Sequence, residues 1–327
     1  EEIKARPLVT PHGKLELTAS FGIGTYRDSE ADITQVLAEA DGCLYEAKRR
    51  GRDRVMMSEA ATKGLLWQAG MLQRALQEQR IVAAYQVMVD LNTGKVVADE
   101  ALARLIQPDG KVLPAADFVE AAEGINLIHV VDDIIARSAL ARCCGRRVHD
   151  PQDEVVHFIN LSPQFLARRD LLDALLADAK LLAERSGMKF ASRQPVVFEI
   201  TERQLLEDFG AMREDLKHLL EYGFRLALDD FGSGYSSFLY LAELPISFIK
   251  IEGWMVRNMQ YNDRILSMVK SVVMLAKTLG ITTIAECVED ARTAEILRDM
   301  GVDWAQGYHF GYPALEEKGT SHQIVGS

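Results

Sequence analysis

Two carboxylates stand side by side at Asp229 and Asp230, where the apolar run FRLAL meets the loop FGSGYSS. Neighbouring like charges repel, so each must be solvated, paired or bound to a cation. Other polar residues close apolar runs elsewhere: Glu100, Asn160, Glu199, Lys250 and Glu286, with Gln306 inside WAQGY. Any one of them alone is the ordinary mark of a helix N-cap or a solvated turn. Several acids converging on one mouth would be unstable unless hard divalent cations neutralised them. An oxygen-rich set without Cys or His selects Mg²⁺, Mn²⁺ or Ca²⁺ over Zn²⁺. One aspartate of the pair can bridge two ions while its neighbour binds one, and paired ions serve phosphoryl chemistry by clamping attacking and leaving oxygens.

Such convergence needs elements that bring distant residues to one face. From Ile81 onward, apolar β-branched runs recur as AAYQVMVD, VVADEALARL, VVHFINLS, VVFEITE, FRLALDD, ISFIKIE, TTIAECVE and WAQGYHF. Helix-period segments such as LLDALLADAKLLAERSG and ILSMVKSVVMLAKTLG separate most of them, several closing on a glycine C-cap. This alternation predicts an α/β chain with a (β/α)₈ TIM-like barrel, whose strand carboxyl ends share one face. The first two strands are joined only by LNTG, too short for a parallel crossover, so the first strand is expected to be antiparallel.

Ahead of the barrel, LELTASFGIGTY and ITQVLAEADGCLYEAKRRG read as a strand and a helix stopped by Gly51. The expected division is a small α/β fragment over 1–57, a connecting helix over 58–80 and the barrel over 81–327. EEIKARP resembles a cut inside a longer protein rather than a signal peptide.

Composition narrows the function classes. With 48% hydrophobic and 26% charged residues, the 327-residue chain has the make-up of a globular protein with a large core. A net charge of -11 argues against binding a nucleic-acid polymer, which calls for a dense Lys/Arg surface. No apolar run is long enough to span a membrane, so no membrane contact is expected of this segment. The four cysteines show no CxxC spacing and fit a reducing cytoplasm, and the seven histidines form no zinc-binding pair.

The runs YQVMVDLNTGKVVADEALAR, FINLSP, FEITE, LALDDFGSGYSSFLYLAELP, FIKIE, IAECVE and AQGYHFGYP closely resemble, in order, EAL-domain cyclic di-GMP phosphodiesterases. Glu100, Ala101 and Leu102 spell the name. LTASFGIGTY with EADGCLYEAKRRGRDRV resembles the C-terminal part of a GGDEF, or diguanylate cyclase, domain without its signature loop, so cyclase activity is not expected.

The resemblance implies hydrolysis of cyclic di-GMP to linear pGpG by a two-ion mechanism using Mg²⁺ or Mn²⁺. It implies that Glu100, Asn160, Glu199 and Asp229 hold the first ion, and Asp229 with Asp230 the second. Lys250, Glu286 and Glu100 carry the catalysis in this reading, and Gln86, Leu102, Arg104 and Gln306 the substrate contacts. Glu202 corresponds to the acid that anchors the loop after the aspartate pair, and a homodimer is implied. Three positions depart from the family pattern: Val87 stands in place of proline, Cys287 of glycine, and Glu252 of aspartate. Glycine at 287 would point to a backbone geometry that a side chain disturbs. The rival reading is a catalytically silent cyclic di-GMP receptor, but such members generally lack ligands that are present here.

Overall fold

The computed structural model describes residues 8–10, 13–15, 18–24, 33–57, 70–150, 152–185, 194–201, 204, 209–232 and 238–316. The chain divides into two compact units, Glu1–Glu78 and Gln79–Ser327. In the first, Leu8–Thr10 pairs antiparallel with Gly13–Leu15, and Phe21–Ile23 pairs in parallel with Val55–Met57. The helix Ile33–Arg49 lies so close to that parallel pair that a Cβ on Gly22 would fall 2.0 Å from the Ala40 carbonyl oxygen. Of the expected connecting helix over 58–80, residues 58–69 lie outside the described residues, and 70–77 are helical.

The second unit is a closed barrel of eight strands: β1 (Ile81–Asp90), β2 (Val96–Ile106), β3 (Val156–Asn160), β4 (Val196–Thr201), β5 (Arg225–Phe231), β6 (Ile246–Ile251), β7 (Thr282–Ala285) and β8 (Trp304–Gln306). Outside it run the helices α1 (Ile128–His149), α2 (Arg169–Arg185), α3 (Phe209–Glu221), α4 (Asp263–Leu279) and α5 (Ala291–Met300). Strands β2 to β8 are parallel neighbours in chain order, and β1 closes the ring between β8 and β2. As LNTG requires, β1 runs antiparallel to β2; closure then makes it antiparallel to β8 as well. The turn is held by Asp90 Oδ1, which accepts from the Asn92 and Thr93 amides at 3.0 and 2.7 Å, with Gly94 at φ 68°.

Inside the barrel, Met88, Ala98, Phe158, Val197, Ala227, Phe248, Ile284 and Trp304 form one apolar layer with a residue from every strand. Phe158 meets Phe248 edge-on at 5.0 Å between ring centres, and Trp304 lies 5.2 Å from Phe248. These aromatic contacts make a floor of buried side chains against which the partly buried Trp304 packs. Because side chains alternate across a strand, the residues two positions on point to the same interior one step higher.

Candidate active site

Two residues beyond each floor residue stands a polar one. Ala98 is followed by Glu100, Phe158 by Asn160, Val197 by Glu199, Ala227 by Asp229, Phe248 by Lys250, Ile284 by Glu286 and Trp304 by Gln306. On the reversed strand β1 the step runs backwards, from Met88 to Gln86. The pleat of eight strands thus gathers eight polar side chains into one layer above the floor. The sequence placed Glu100 at a strand end; β2 instead continues to Ile106, because its outer half pairs with β1 and with the short strand Val112–Pro114 at the rim.

Lys250 sits at the centre, its ammonium 2.8 Å from Glu286, 3.1 Å from Glu199, 3.3 Å from Asp229 and 3.4 Å from Glu100. The side chain is 1% exposed. Burial works against its charge, but the carboxylates of Asp229, Glu100, Glu199 and Glu286 outweigh that and hold its pKa well above the ordinary lysine value. Glu100 is held on three sides. Its Oε1 accepts from Asn160 Nδ2 at 2.8 Å, and its Oε2 from Gln306 Nε2 at 2.8 Å and from Lys250 at 3.4 Å. Burial pushes its pKa up, yet Lys250 and these two amides bring it below the ordinary range, so it stays ionised. Glu199 has the opposite balance: burial and then Glu100 drive it well above the usual carboxylate range despite Lys250. Both its oxygens lie 3.1 Å from the ammonium, but only Oε2 is angled to accept a hydrogen bond.

Toward the rim, Asp229, Asp230 and Glu286 bring carboxylate oxygens within 4.8 Å of one another. Asp230 has φ 55°, a left-handed turn that aspartate tolerates, and its amide donates to Asp229 Oδ1 at 3.0 Å. Gly232 follows at φ 103°, where a Cβ would lie 2.6 Å from Met255 Sδ. Burial, then Asp229 and Glu252, raise the Asp230 pKa to about 6. Burial also raises Glu286, to about 8, against the lowering by Lys250. This crowding of acids around a single ammonium, with buried oxygens of Glu199 and Gln306 lacking any hydrogen-bond donor, is a constellation that cations would complete.

The expected substrate contacts divide. Leu102 lines a cavity of about 360 Å³ beside the layer, together with Asn160, Glu199, Thr201 and Asp132. Arg104 is partly buried, donates to the Ala103 carbonyl at 2.8 Å, and has Glu100 and Tyr308 as its nearest electrostatic neighbours. Gln86 and Gln306 are engaged with the layer itself: Gln306 Nε2 also donates to Gln86 Oε1 at 3.1 Å, and Gln86 Nε2 to the Gly311 carbonyl at 3.0 Å. The Gln306 amide orients Glu100, and Gln86 in turn holds Gln306. Glu202 lies outside the described residues.

Among the buried acids that the sequence did not single out, Asp132 lines the cavity beside Leu102. Asp132, 8% exposed on α1, accepts from the Ser162 amide at 2.9 Å, and burial raises its pKa to about 7. The signal was present in IHVVDDIIA. Asp132 follows Ile128 by four and precedes Ile135 by three, which puts it on the buried stripe of the helix. Its neighbour Asp133 pairs instead with Arg137 at 2.8 Å.

Fold and site together define a (β/α)₈-type barrel with an oxygen-rich acidic centre at the carboxyl ends of its parallel strands. The chain belongs to the EAL domain family, whose model matches residues 69–313. Residues 2–54 match the diguanylate cyclase GGDEF domain. Among curated proteins, the cyclic di-GMP phosphodiesterase PdeB of Shewanella oneidensis is 30% identical over 302 residues, covering 90% of this chain and 34% of PdeB. The cyclic di-GMP phosphodiesterase PdeR of Escherichia coli is 29% identical over 305 residues, covering 90% of this chain and 44% of PdeR. The chain therefore spans less than half the length of these relatives. A solved complex of the MucR phosphodiesterase with c-di-GMP superposes with a TM-score of 0.68 at 27% identity, over 77% of this chain and 98% of that one.

Proposed function

We propose that the barrel hydrolyses one phosphodiester bond of cyclic di-GMP and releases linear pGpG. The observation that carries this reading is the eight-residue polar layer, in which four carboxylates converge on the buried ammonium of Lys250. Membership of the EAL family and the likeness to PdeB, PdeR and MucR support the substrate. Glu100, Asn160, Glu199 and Asp229 would hold one Mg²⁺ or Mn²⁺, and Asp229 with Asp230 a second. The ions would supply Lewis-acid activation of water and neutralise charge on the phosphoryl oxygens.

The chain's own groups then have distinct tasks. The carboxylates around Lys250 favour its ammonium form, in which it would bridge them and offer positive charge to the reacting phosphate. Glu286, at the layer's rim with 19% of its side chain exposed, is the carboxylate placed to take a proton from water. Arg104 presents a permanently charged guanidinium to a substrate phosphate. In the cavity beside Leu102, the Asp132 carboxyl can accept from the N1–H and N2–H edge of a guanine.

Division of the chain into a GGDEF-like fragment over 1–57, a connector over 58–80 and an EAL barrel over 81–327 belongs to the same reading. So do a cytoplasmic location and a homodimer formed through the face bearing the loop after β5, both resting on resemblance and composition. Among the described residues, no helix is long and apolar enough to cross a membrane.

The test is incubation of the purified chain with cyclic di-GMP and either Mg²⁺ or Mn²⁺, following pGpG by chromatography. The wild type yields pGpG and Glu100→Ala yields none. Binding without product from the wild type would replace the enzyme with a receptor.

A further inference from the structure

Between β8 and the strand Ala314–Leu315, the chain makes an excursion over 307–313 at the mouth of the barrel. Two large aromatic side chains stand there in solvent: Tyr308 is 56% exposed and Tyr312 70%. Their rings stack on each other, 4.3 Å between centres and 25° from parallel. An exposed pair of this size is unusual unless something covers it, since aromatic rings contribute most when removed from water.

The segment carrying the pair is fixed to the site. The His309 amide donates to the Val288 carbonyl at 3.0 Å, and the Gly311 amide to that of Gly307 at 3.1 Å. Gly307, at φ 159°, passes so near Val288 that a Cβ would lie 2.1 Å from its carbonyl oxygen. The Gly311 carbonyl in turn accepts from Gln86, a member of the polar layer. Just past Tyr312, Ala314 and Leu315 pair with Tyr85 and Ala84 of β1. The rings are thus presented on a short, pinned loop whose anchors reach directly into the polar layer.

The neighbours indicate what the rings would meet. Arg104, the guanidinium aimed at a phosphate in the reading above, has Glu100 and then the Tyr308 hydroxyl among its electrostatic neighbours. The other flank of the layer holds the cavity lined by Leu102 and Asp132. A cyclic dinucleotide has two bases joined through two phosphates, and the mouth offers one enclosed acidic cavity and one open aromatic face. We propose that the Tyr308–Tyr312 pair is a stacking platform for the second base of the cyclic dinucleotide, with Tyr312 the residue whose outer face the base covers.

This inference rests on the cyclic di-GMP reading, and it adds an asymmetry. The base in the cavity is read by hydrogen bonds, whereas the base on the platform is held by its π-face. Stacking carries no donor–acceptor code, because every base has such a face. A cyclic dinucleotide with one guanine and one adenine should therefore depend on Tyr312 as strongly as cyclic di-GMP does.

The experiment is steady-state kinetics of wild type, Tyr312→Ala and Tyr312→Phe on cyclic di-GMP and on the mixed guanine–adenine cyclic dinucleotide. Stacking of one base on an aromatic side chain corresponds to a roughly 5- to 100-fold effect on binding. Tyr312→Ala is expected to raise KM by about that factor on both substrates with kcat changed less than about threefold, while Tyr312→Phe keeps a KM near that of the wild type. An unchanged KM in Tyr312→Ala overturns the platform, and so does a Tyr312→Phe variant as impaired as Tyr312→Ala, since the hydroxyl rather than the ring would then matter. Failure of the wild type to turn over cyclic di-GMP would instead overturn the underlying function, so the two failures are told apart.

Discussion

The apolar floor and the polar layer of the barrel are two residues apart on every strand, and they make opposite demands on stability. The floor removes Phe158 and Phe248 from water and packs Phe158 edge to face with Phe248 and with the partly buried Trp304. The layer above buries Glu100, Glu199 and Lys250 at comparable depth. Taking a charge out of water costs several kcal/mol per ion before pairing, a cost the layer offsets only through its ion pairs and hydrogen bonds. The comparison teaches that one backbone periodicity supplies both the foundation and the chemistry. A floor residue can be judged by volume alone, whereas a layer residue must be judged by which charges remain when it is gone.

The sharpest way to break the layer is Lys250→Met. That substitution leaves the surrounding carboxylates facing one another without their shared cation. Removing one partner of a buried ion pair typically costs about 3–5 kcal/mol, and here one ammonium serves four acids. We expect the unfolding free energy at pH 8 to fall by at least that much, together with loss of turnover. Added Mg²⁺ or Mn²⁺ should recover more stability in the variant than in the wild type, because an ion can take over the neutralising task. Equal recovery in both proteins would mean that the acids do not form a cation site.

The floor is broken by Phe248→Ala, whose side chain is 1% exposed and touches both Phe158 and Trp304. Truncation of a buried phenylalanine costs about 3–5 kcal/mol. Unlike the lysine variant, this loss should be the same at pH 6 and pH 8 and indifferent to divalent ions. Urea unfolding at the two pH values, with and without Mg²⁺, separates the regions: a pH-dependent loss in Phe248→Ala would show that floor and layer are not independent.

Asp132 tests a polar group that lies outside the layer. Its folded pKa is raised from 3.8 to about 7, chiefly by burial, with Glu123 adding to the shift and Ser162 opposing it. A carboxyl raised in the fold stabilises it fully below the unfolded pKa, and that contribution is lost as pH climbs through the folded value. Stability attributable to Asp132 should thus fall between about pH 4 and pH 7. At about 1.4 kcal/mol per unit, the span is up to roughly 4 kcal/mol. Asp132→Asn should remove this share of the slope, seen as a wild-type-minus-variant difference in unfolding free energy that changes with pH. A constant difference from pH 4 to pH 8 would place the carboxyl in water.

How legible these regions were follows from the same periodicity. The apolar runs and the four-residue LNTG connection identified the barrel and its reversed first strand, because neither hydrophobic alternation nor a crossover's minimum length depends on tertiary detail. The layer was legible too, since Glu100, Asn160, Glu199, Asp229, Lys250 and Glu286 interrupt or end apolar runs. What escaped was vertical position. Glu100 was placed at the end of its run, although the apolar run VVADEALARL carries on past it and β2 reaches Ile106 through its pairing with β1. The hydrogen bonds of Gln86 and Gln306 were not legible either, because an amide does not announce its partner: Gln306 donates to Glu100 and to Gln86. Asp132 hid beside Asp133, one facing the cavity and the other an arginine, a distinction that helical phase draws and composition does not.

The smallest expected effect concerns the position where glycine is usual. Cys287 adopts φ 53°, a left-handed conformation that costs a side-chain-bearing residue about 1–2 kcal/mol. Its thiol lies over Gly253, where a Cβ would sit 2.4 Å from Sγ and 2.8 Å from the Cys287 Cβ. The side chain therefore occupies space that only glycine at 253 leaves open. Cys287→Gly relieves the backbone strain but gives up packing and increases the freedom of the unfolded chain by about 0.5–1 kcal/mol, so its net effect on stability should stay within about 1 kcal/mol. Gly253→Ala should destabilise the protein by more than that, because its methyl meets the thiol. In the double variant the obstruction is gone, and most of the Gly253→Ala loss should be recovered, a coupling of about 0.5–3 kcal/mol. Simple additivity of the two substitutions in thermal unfolding would show that the neighbouring backbone moves freely enough to accept both side chains, and that the polar layer adjoining Glu286 is less rigidly supported than the floor beneath it.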